Sequence, residues 1–313
     1  MVDLAVLPRI ALALLVAVGG ACASTRAPSP ESAPEPPPAA NAPEEKAQPP
    51  PPTPAAEPVS IPRRLGNEVV SDFKWTVNNF EADAEDLVLS PCHVGELLEN
   101  PAFYWTSLAS AAALGAGFGL DNPAQHAFHK ISHNDADSLE RWGNAALWGA
   151  TAGLYAYGLA LDDPRARHYA LTGLFSTAVS SGLTAVLKVT FGRDRPYQDQ
   201  GHWKWFNNGR SFVSSATTPV FSLAAAVSEY ADNRWYVALP AYTAAASVGL
   251  GRMGKNAHWI SDIIGSALLG VGTTEVLLYM HDSHEAEPSR YRIFPVLARD
   301  GGGVGVSWDF WGP

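Results

Sequence analysis

Cysteine is almost missing from this chain. Cys22 and Cys92 are the only two in 313 residues, so a disulfide framework is excluded unless that pair bonds, and a thiolate metal site cannot be built. Positive charge is also scarce: 21 Lys and Arg stand against 31 Asp and Glu, a formal net charge of −10, which denies the chain the basic face that nucleic-acid binding requires. Nucleic acid is excluded as a partner. Clean apolar runs of membrane-spanning length are lacking too, since segments that approach it carry Ser, Thr or, in one case, Glu275. Apolar content is nevertheless 47%, ample for a sizeable core.

The N-terminus reads as an export signal. Arg9 precedes an apolar stretch from Ile10 to Ala21, a length that suits a signal peptide and is too short to span a bilayer. Two endings compete: Ala21-Cys22-Ala23 places cleavage after residue 23, whereas Gly19-Gly20-Ala21-Cys22 is an imperfect lipoprotein box with Cys22 acylated. A lone acyl chain anchors only marginally, so membrane retention would need a second signal. Residues 24–62 are rich in Pro and Ala, with Pro36-Pro37-Pro38 and Pro49 to Pro52, and have little apolar bulk to bury. Such a segment is expected to be a disordered, semi-stiff linker.

The folded domain is expected over 63–313. Its opening carries Glu81, Asp83, Glu85 and Asp86, which read as a solvated face, because no Gly-containing ligand loop surrounds them. Apolar, Ala- and Gly-rich segments then recur at Tyr104 to Leu120, Trp142 to Leu161, Tyr169 to Leu187, Pro219 to Val227, Trp235 to Leu250 and Ile263 to Met280. All but the shortest are too long for strands, and their punctuation by Asn122-Pro123, Asp162-Asp163-Pro164 and Asp232-Asn233 predicts an all-α bundle of about six core helices. Two β-like runs flank Arg299-Asp300-Gly301-Gly302-Gly303 and predict a small C-terminal β-hairpin.

One window collects the requirements of phosphoryl transfer, which are cations and backbone N–H groups for the equatorial oxygens and a nucleophile in line. Lys188 and Arg195 fall at the end of one apolar segment and in the Gly192-Arg193-Asp194-Arg195-Pro196 turn, where Pro196 is expected to stop the helix. Ser214 and Ser215 stand just before an Ala-rich helix, where free N–H groups favour an anion. Arg252 closes the next segment. His258 and Asp262 are four apart, a spacing that puts them on one helical face, with the carboxylate on Nδ1 and Nε2 left to attack. Taken singly, Lys188 and Arg195 are better read as charges complementing a helix C-terminus, and His258 with Asp262 as a surface pair. Their order and spacing together argue otherwise.

This set resembles the type-2 phosphatidic acid phosphatase / vanadium haloperoxidase superfamily, whose pattern reads K-x6-R-P, P-S-G-H and S-R-x5-H-x3-D. The likeness covers roughly residues 106–280, with a motif core at 187–270. It implies a helical domain in which His258 is the phosphorylated nucleophile, Asp262 orients it, and Lys188, Arg195, Arg252, Ser214 and Ser215 bind the phosphate. It implies no cofactor and no metal.

The middle motif departs from the pattern. Ala216 stands where the family has its general-acid histidine, Val213 where it has Pro and Ser215 where it has Gly, and Gly251 replaces the Ser before Arg252. His202 is a candidate substitute acid, although a solvated loop histidine is the plainer reading. His126, His129 and His133 could share a helical face suited to a metal, although such trios are more often simply exposed. The expectation is an exported, envelope-located and membrane-associated phosphatase acting on lipid-linked or other organic phosphates, with weakened general-acid catalysis. The alternative is a non-catalytic phosphate-binding or scaffold descendant.

Overall fold

The computed structural model describes residues 61–89 and 101–286, with side-chain surroundings over 64–79 and 104–281, and the runs 291–298 and 301–308 by backbone alone. The signal and linker expectations, Cys22 and Cys92 among them, fall outside these residues. Seven helices follow in order: α1 (Ile61–Leu89), α2 (Pro101–Phe128), α3 (His133–Leu161), α4 (Pro164–Phe191), α5 (Thr218–Tyr230), α6 (Trp235–Gly254) and α7 (Ile260–Ala286). Each apolar segment of the sequence is a helix, so the domain is helical as expected. The expected hairpin rests on the two C-terminal runs and is taken up below as a proposal. The side chains of Glu81, Asp83, Glu85 and Asp86 are not among those described.

Local chemistry sets the helix ends. Ser132 caps α3 by accepting a hydrogen bond from the Asp135 N–H, and Asp163 caps α4 by accepting from Ala166 N–H, with Pro164 in the first turn. The stop expected at Pro196 comes earlier. Gly192, at φ +48°, ends α4 in the left-handed conformation and returns its N–H to the Lys188 carbonyl, while Pro196 opens a short 3-10 turn over Pro196–Gln198. The expected break at Asn122-Pro123 is absent, because Pro123 lies inside α2.

Short connections between α2 and α3, α3 and α4, and α5 and α6 make successive helices antiparallel. One end of the bundle therefore gathers the C-termini of α2, α4 and α6 with the N-termini of α3, α5 and α7. The polar residues that interrupted the apolar runs point inward. Thr172, Ser176, Ser180 and Thr184 repeat every four residues along α4, all buried. They meet His281 Nδ1 at 3.0 Å, Thr274 Oγ1 at 2.6 Å, Ser222 Oγ at 3.1 Å and Thr218 Oγ1 at 3.3 Å. Each buried hydroxyl thus finds a partner on a facing helix, so it avoids the cost of burying an unpaired polar group. Two helical segments, Pro164–Gln198 and Ile260–His281, are long and apolar enough to cross a membrane.

Candidate active site

Lys188 is one turn beyond Thr184 on the same face of α4, and the hydroxyl row therefore leads to the first candidate cation. Its Nζ donates to the Arg210 carbonyl at 2.7 Å, and it lies within electrostatic reach of Asp262 as well as of Arg195, Arg252 and Arg210. No carboxylate lies within ion-pair distance of Lys188 or Arg195 among the described residues. Arg252, in the last turn of α6, has Glu140 Oε2 at 3.7 Å, and its buried Nε has no hydrogen-bond partner among the described residues. Three predicted cations thus converge with unused donor capacity, which suits an anion.

His258 precedes α7 rather than lying in it, so the pairing with Asp262 does not arise from a shared helical face as expected. It forms because the chain enters α7 folded over Asp262. That carboxylate accepts Trp259 N–H at 2.9 Å through Oδ2, whose other close partner is Ser211 Oγ. His258 Nδ1 then stands 3.4 Å from the same oxygen, long for a hydrogen bond and of a length that active sites tighten on binding substrate. Both side chains are buried.

Behind Asp262 lies a residue that the sequence reading left unassigned. Arg193, fully buried, donates to Asp262 Oδ1 at 2.6 Å, to Ser261 Oγ at 2.7 Å and to Asp121 Oδ2, and it also donates to the His202 carbonyl at 3.1 and 2.8 Å. Asp121 accepts Ser261 N–H and Oγ in turn. The guanidinium lies over the rings of Trp205, Phe118 and Trp259 at 4.7, 5.4 and 5.5 Å, so planar stacking and five fixed donors are both in use. The available sequence signal was an arginine between two motif cations and an acid inside an apolar helix. Neither belongs to the pattern, so both passed as turn residues.

The middle motif divides its tasks. Ser214 is buried: its N–H donates to Ser266 Oγ at 2.8 Å and its Oγ accepts from Thr217 at 3.0 Å. Its N–H is therefore used within the loop, while its O–H keeps donor capacity. Ser215 is exposed, and the N–H groups of Ser215 and Ala216, within one turn of the start of α5, make no hydrogen bond among the described residues. Ala216 is half-buried and packs against the apolar cluster of Leu147, Val220 and Ala244. Gly251 is explained by packing, because a Cβ there would lie 2.6 Å from both the Ala136 carbonyl and Glu140 Cγ on α3.

The other histidines separate. His126 and His129 each use Nδ1 on a carbonyl four residues back, at 2.8 and 2.9 Å, whereas His133 begins α3, so the expected shared face is split between helices. No cluster of three or more metal-ligating side chains occurs among the described residues. His202 has its ring 6.1 Å from that of Trp259, and burial holds its proton affinity below that of an ordinary imidazole. A histidine that gives up its proton more readily is less often charged at neutral pH, which weakens it as the substitute acid.

Burial pushes the His258 imidazole down to about 4, against the pull of Asp262. The unfolded chain would take up that proton near 6.5, the folded protein only near 4. Between those values the unfolded state binds more protons, so this residue's contribution to stability is intact above 6.5 and is lost as pH falls towards 4. We expect urea unfolding midpoints to drop from pH 7 to pH 4.5, and to drop less in His258→Gln; an identical fall in both proteins would assign the effect elsewhere.

The helical bundle thus holds a buried His-Asp pair near Lys188 and Arg252, with Arg195 within electrostatic reach of Lys188. Residues 169–285 match the family profile of the PAP2 superfamily, so this part of the chain is similar to members of that superfamily. The lipid A 1-phosphatase of Porphyromonas gingivalis is 27% identical over 114 residues, which is 36% of this chain and 24% of the relative. The match thus spans about a quarter of that protein's length. No solved structure matches the chain.

Proposed function

We propose that this protein is an exported, membrane-associated phosphatase of lipid-linked or other organic phosphates that works through a phosphohistidine. The observation that carries the reading is the buried His258–Asp262 pair, 3.4 Å apart, within electrostatic reach of Lys188 and Arg252, with Arg195 in turn near Lys188. In this reading Nε2 of His258 attacks phosphorus, the bond to the leaving oxygen breaks, and water then cleaves the phosphorus–nitrogen bond. Asp262 stabilises the cationic imidazole, and the cations with the N–H groups of Ser215 and Ala216 hold the equatorial oxygens. The lipid A phosphatase relative supports a lipid phosphate as substrate, and the two apolar helices support association with a membrane.

The proposed layout is a signal over 1–23, or one ending before Cys22, a Pro/Ala-rich linker over 24–62 and the catalytic domain over 63–313. An antiparallel hairpin over 291–308 closes the chain. Ala216 favours a second reading, a phosphate-binding scaffold without turnover. Hydrolysis of an aryl phosphate and of a polyprenyl diphosphate by the parent and by His258→Ala separates the two. Turnover that disappears in His258→Ala is the expected result; no turnover above background in the parent selects the scaffold.

A further inference from the structure

Helix α1 turns its polar side to the protein. Asp72, buried, accepts from Arg167 Nε at 3.1 Å and from Tyr155 Oη at 2.9 Å, and Arg167, also buried, donates to the Gly158 carbonyl at 3.2 Å. Trp75 stacks on His168 with centroids 4.0 Å apart, and Arg64 reaches the Leu159 carbonyl at 3.4 Å. These contacts hold α1 against α3 and α4 at the end of the bundle remote from His258. The outward side is divided, with Asn67, Ser71, Lys74 and Asn78 on one half and an apolar stripe on the other. Val69, Val70, Phe73 and Val77 fall within an arc of about 100° on the helix, opposite Trp75 and clear of Asp72. All four are exposed, Phe73 at 69%.

A water-facing helix has no reason for that stripe, and its surroundings say what covers it. The same end of the bundle exposes Trp105 on α2, Tyr157 and Leu161 on α3, Trp235 and Tyr236 on α6, and Tyr279 on α7. These residues belong to four helices. A second copy would meet one self-complementary patch, whereas Trp and Tyr exposed near the ends of several helices are what a lipid headgroup boundary collects. We infer that the outward stripe of α1 is a lipid-contacting face that seats the end of the bundle remote from the catalytic site at one surface of a bilayer. Arg167 and Asp72 set the roll of the helix and so decide which side meets lipid. The inference rests on the membrane-associated reading above and adds the surface and orientation of contact.

The test uses the full chain with Cys22→Ser and Cys92→Ser, carrying an environment-sensitive fluorophore at Phe73→Cys or, as comparator, at the exposed Asn134→Cys near the catalytic end. Each protein is mixed with phosphatidylethanolamine–phosphatidylglycerol vesicles containing an acyl-chain quencher, and vesicle binding is scored separately by flotation. The label at residue 73 is expected to shift to the blue and to be quenched several-fold more than that at 134. Protein that floats while residue 73 stays water-like overturns the role of α1 and leaves membrane association standing. Protein that does not float overturns the role of α1, and flotation of the chain with Cys22 retained then reads whether membrane association stands without it. A label shielded equally with and without vesicles assigns the stripe to another copy or to the chain's own C-terminal residues, and likewise overturns the inference.

Discussion

Ala216→His is expected to raise turnover of alkyl phosphates by about 10² to 10⁴-fold, the usual contribution of a positioned general acid. An aryl phosphate or a diphosphate should gain far less. An alkoxide needs a proton as its bond to phosphorus breaks, whereas an aryl oxide or phosphate departs with little help. The frame for that acid is in place, since Ser211 holds Asp262, Ser214 is fixed by Ser266 and Thr217, and position 216 is half-buried at the start of α5. Its Cβ packs beside Leu147 and Val220, so an imidazole must turn away from that cluster to reach the leaving oxygen. In the parent, the same argument predicts a preference for diphosphates and activated esters over simple alkyl phosphates. Parallel kinetics on an alkyl and an aryl phosphate decide the matter, and equal gains on both would remove leaving-group protonation as the missing step.

Arg193→Met should cost about 3–5 kcal/mol of folding stability, the range for removing one partner of a buried ion pair. The loss exposes two carboxylates to the interior at once. Asp121 and Asp262 both depend on this guanidinium, and no other Lys or Arg is within ion-pair distance of either among the described residues. Arg193→Lys should recover only part of the loss, because an ammonium cannot span two carboxylates and the His202 carbonyl with fixed donors. Arg193→Met/Asp121→Asn should also recover part, by withdrawing one stranded charge. Chemical denaturation of the three variants reads the effect; unchanged midpoints in Arg193→Met would mean that the buried cation is dispensable. Where folding survives, His258 should lose activity as well, since the carboxylate behind it is no longer held.

Helices were legible because length and apolar periodicity are local properties, and α2 to α7 fall where those segments lie. The ends were less so. Gly192 stops α4 through a left-handed turn that Pro196, the louder signal, obscured. The cations and the His258–Asp262 pair could be read because their order along the chain follows a known spacing. Arg193 and Asp121 are 72 residues apart and meet only through packing, which no spacing rule records. That Ser214 spends its N–H on Ser266 was equally illegible, because the two residues are 52 apart in the chain. The inverted polarity of α1 was also invisible, because an amphipathic helix carries the same pattern whichever side it turns to the protein.

The hydroxyl row on α4 acts as a ruler. Four partners set at a constant interval can all be met in only one axial position, and a slip of a single residue would swing Thr172, Ser176, Ser180 and Thr184 away together. Each stranded hydroxyl would cost about 1–3 kcal/mol, so neighbouring positions are strongly penalised. Lys188 is the next mark on that ruler. The height at which its ammonium meets a phosphate is therefore gauged along the whole length of the helix, from as far away as His281.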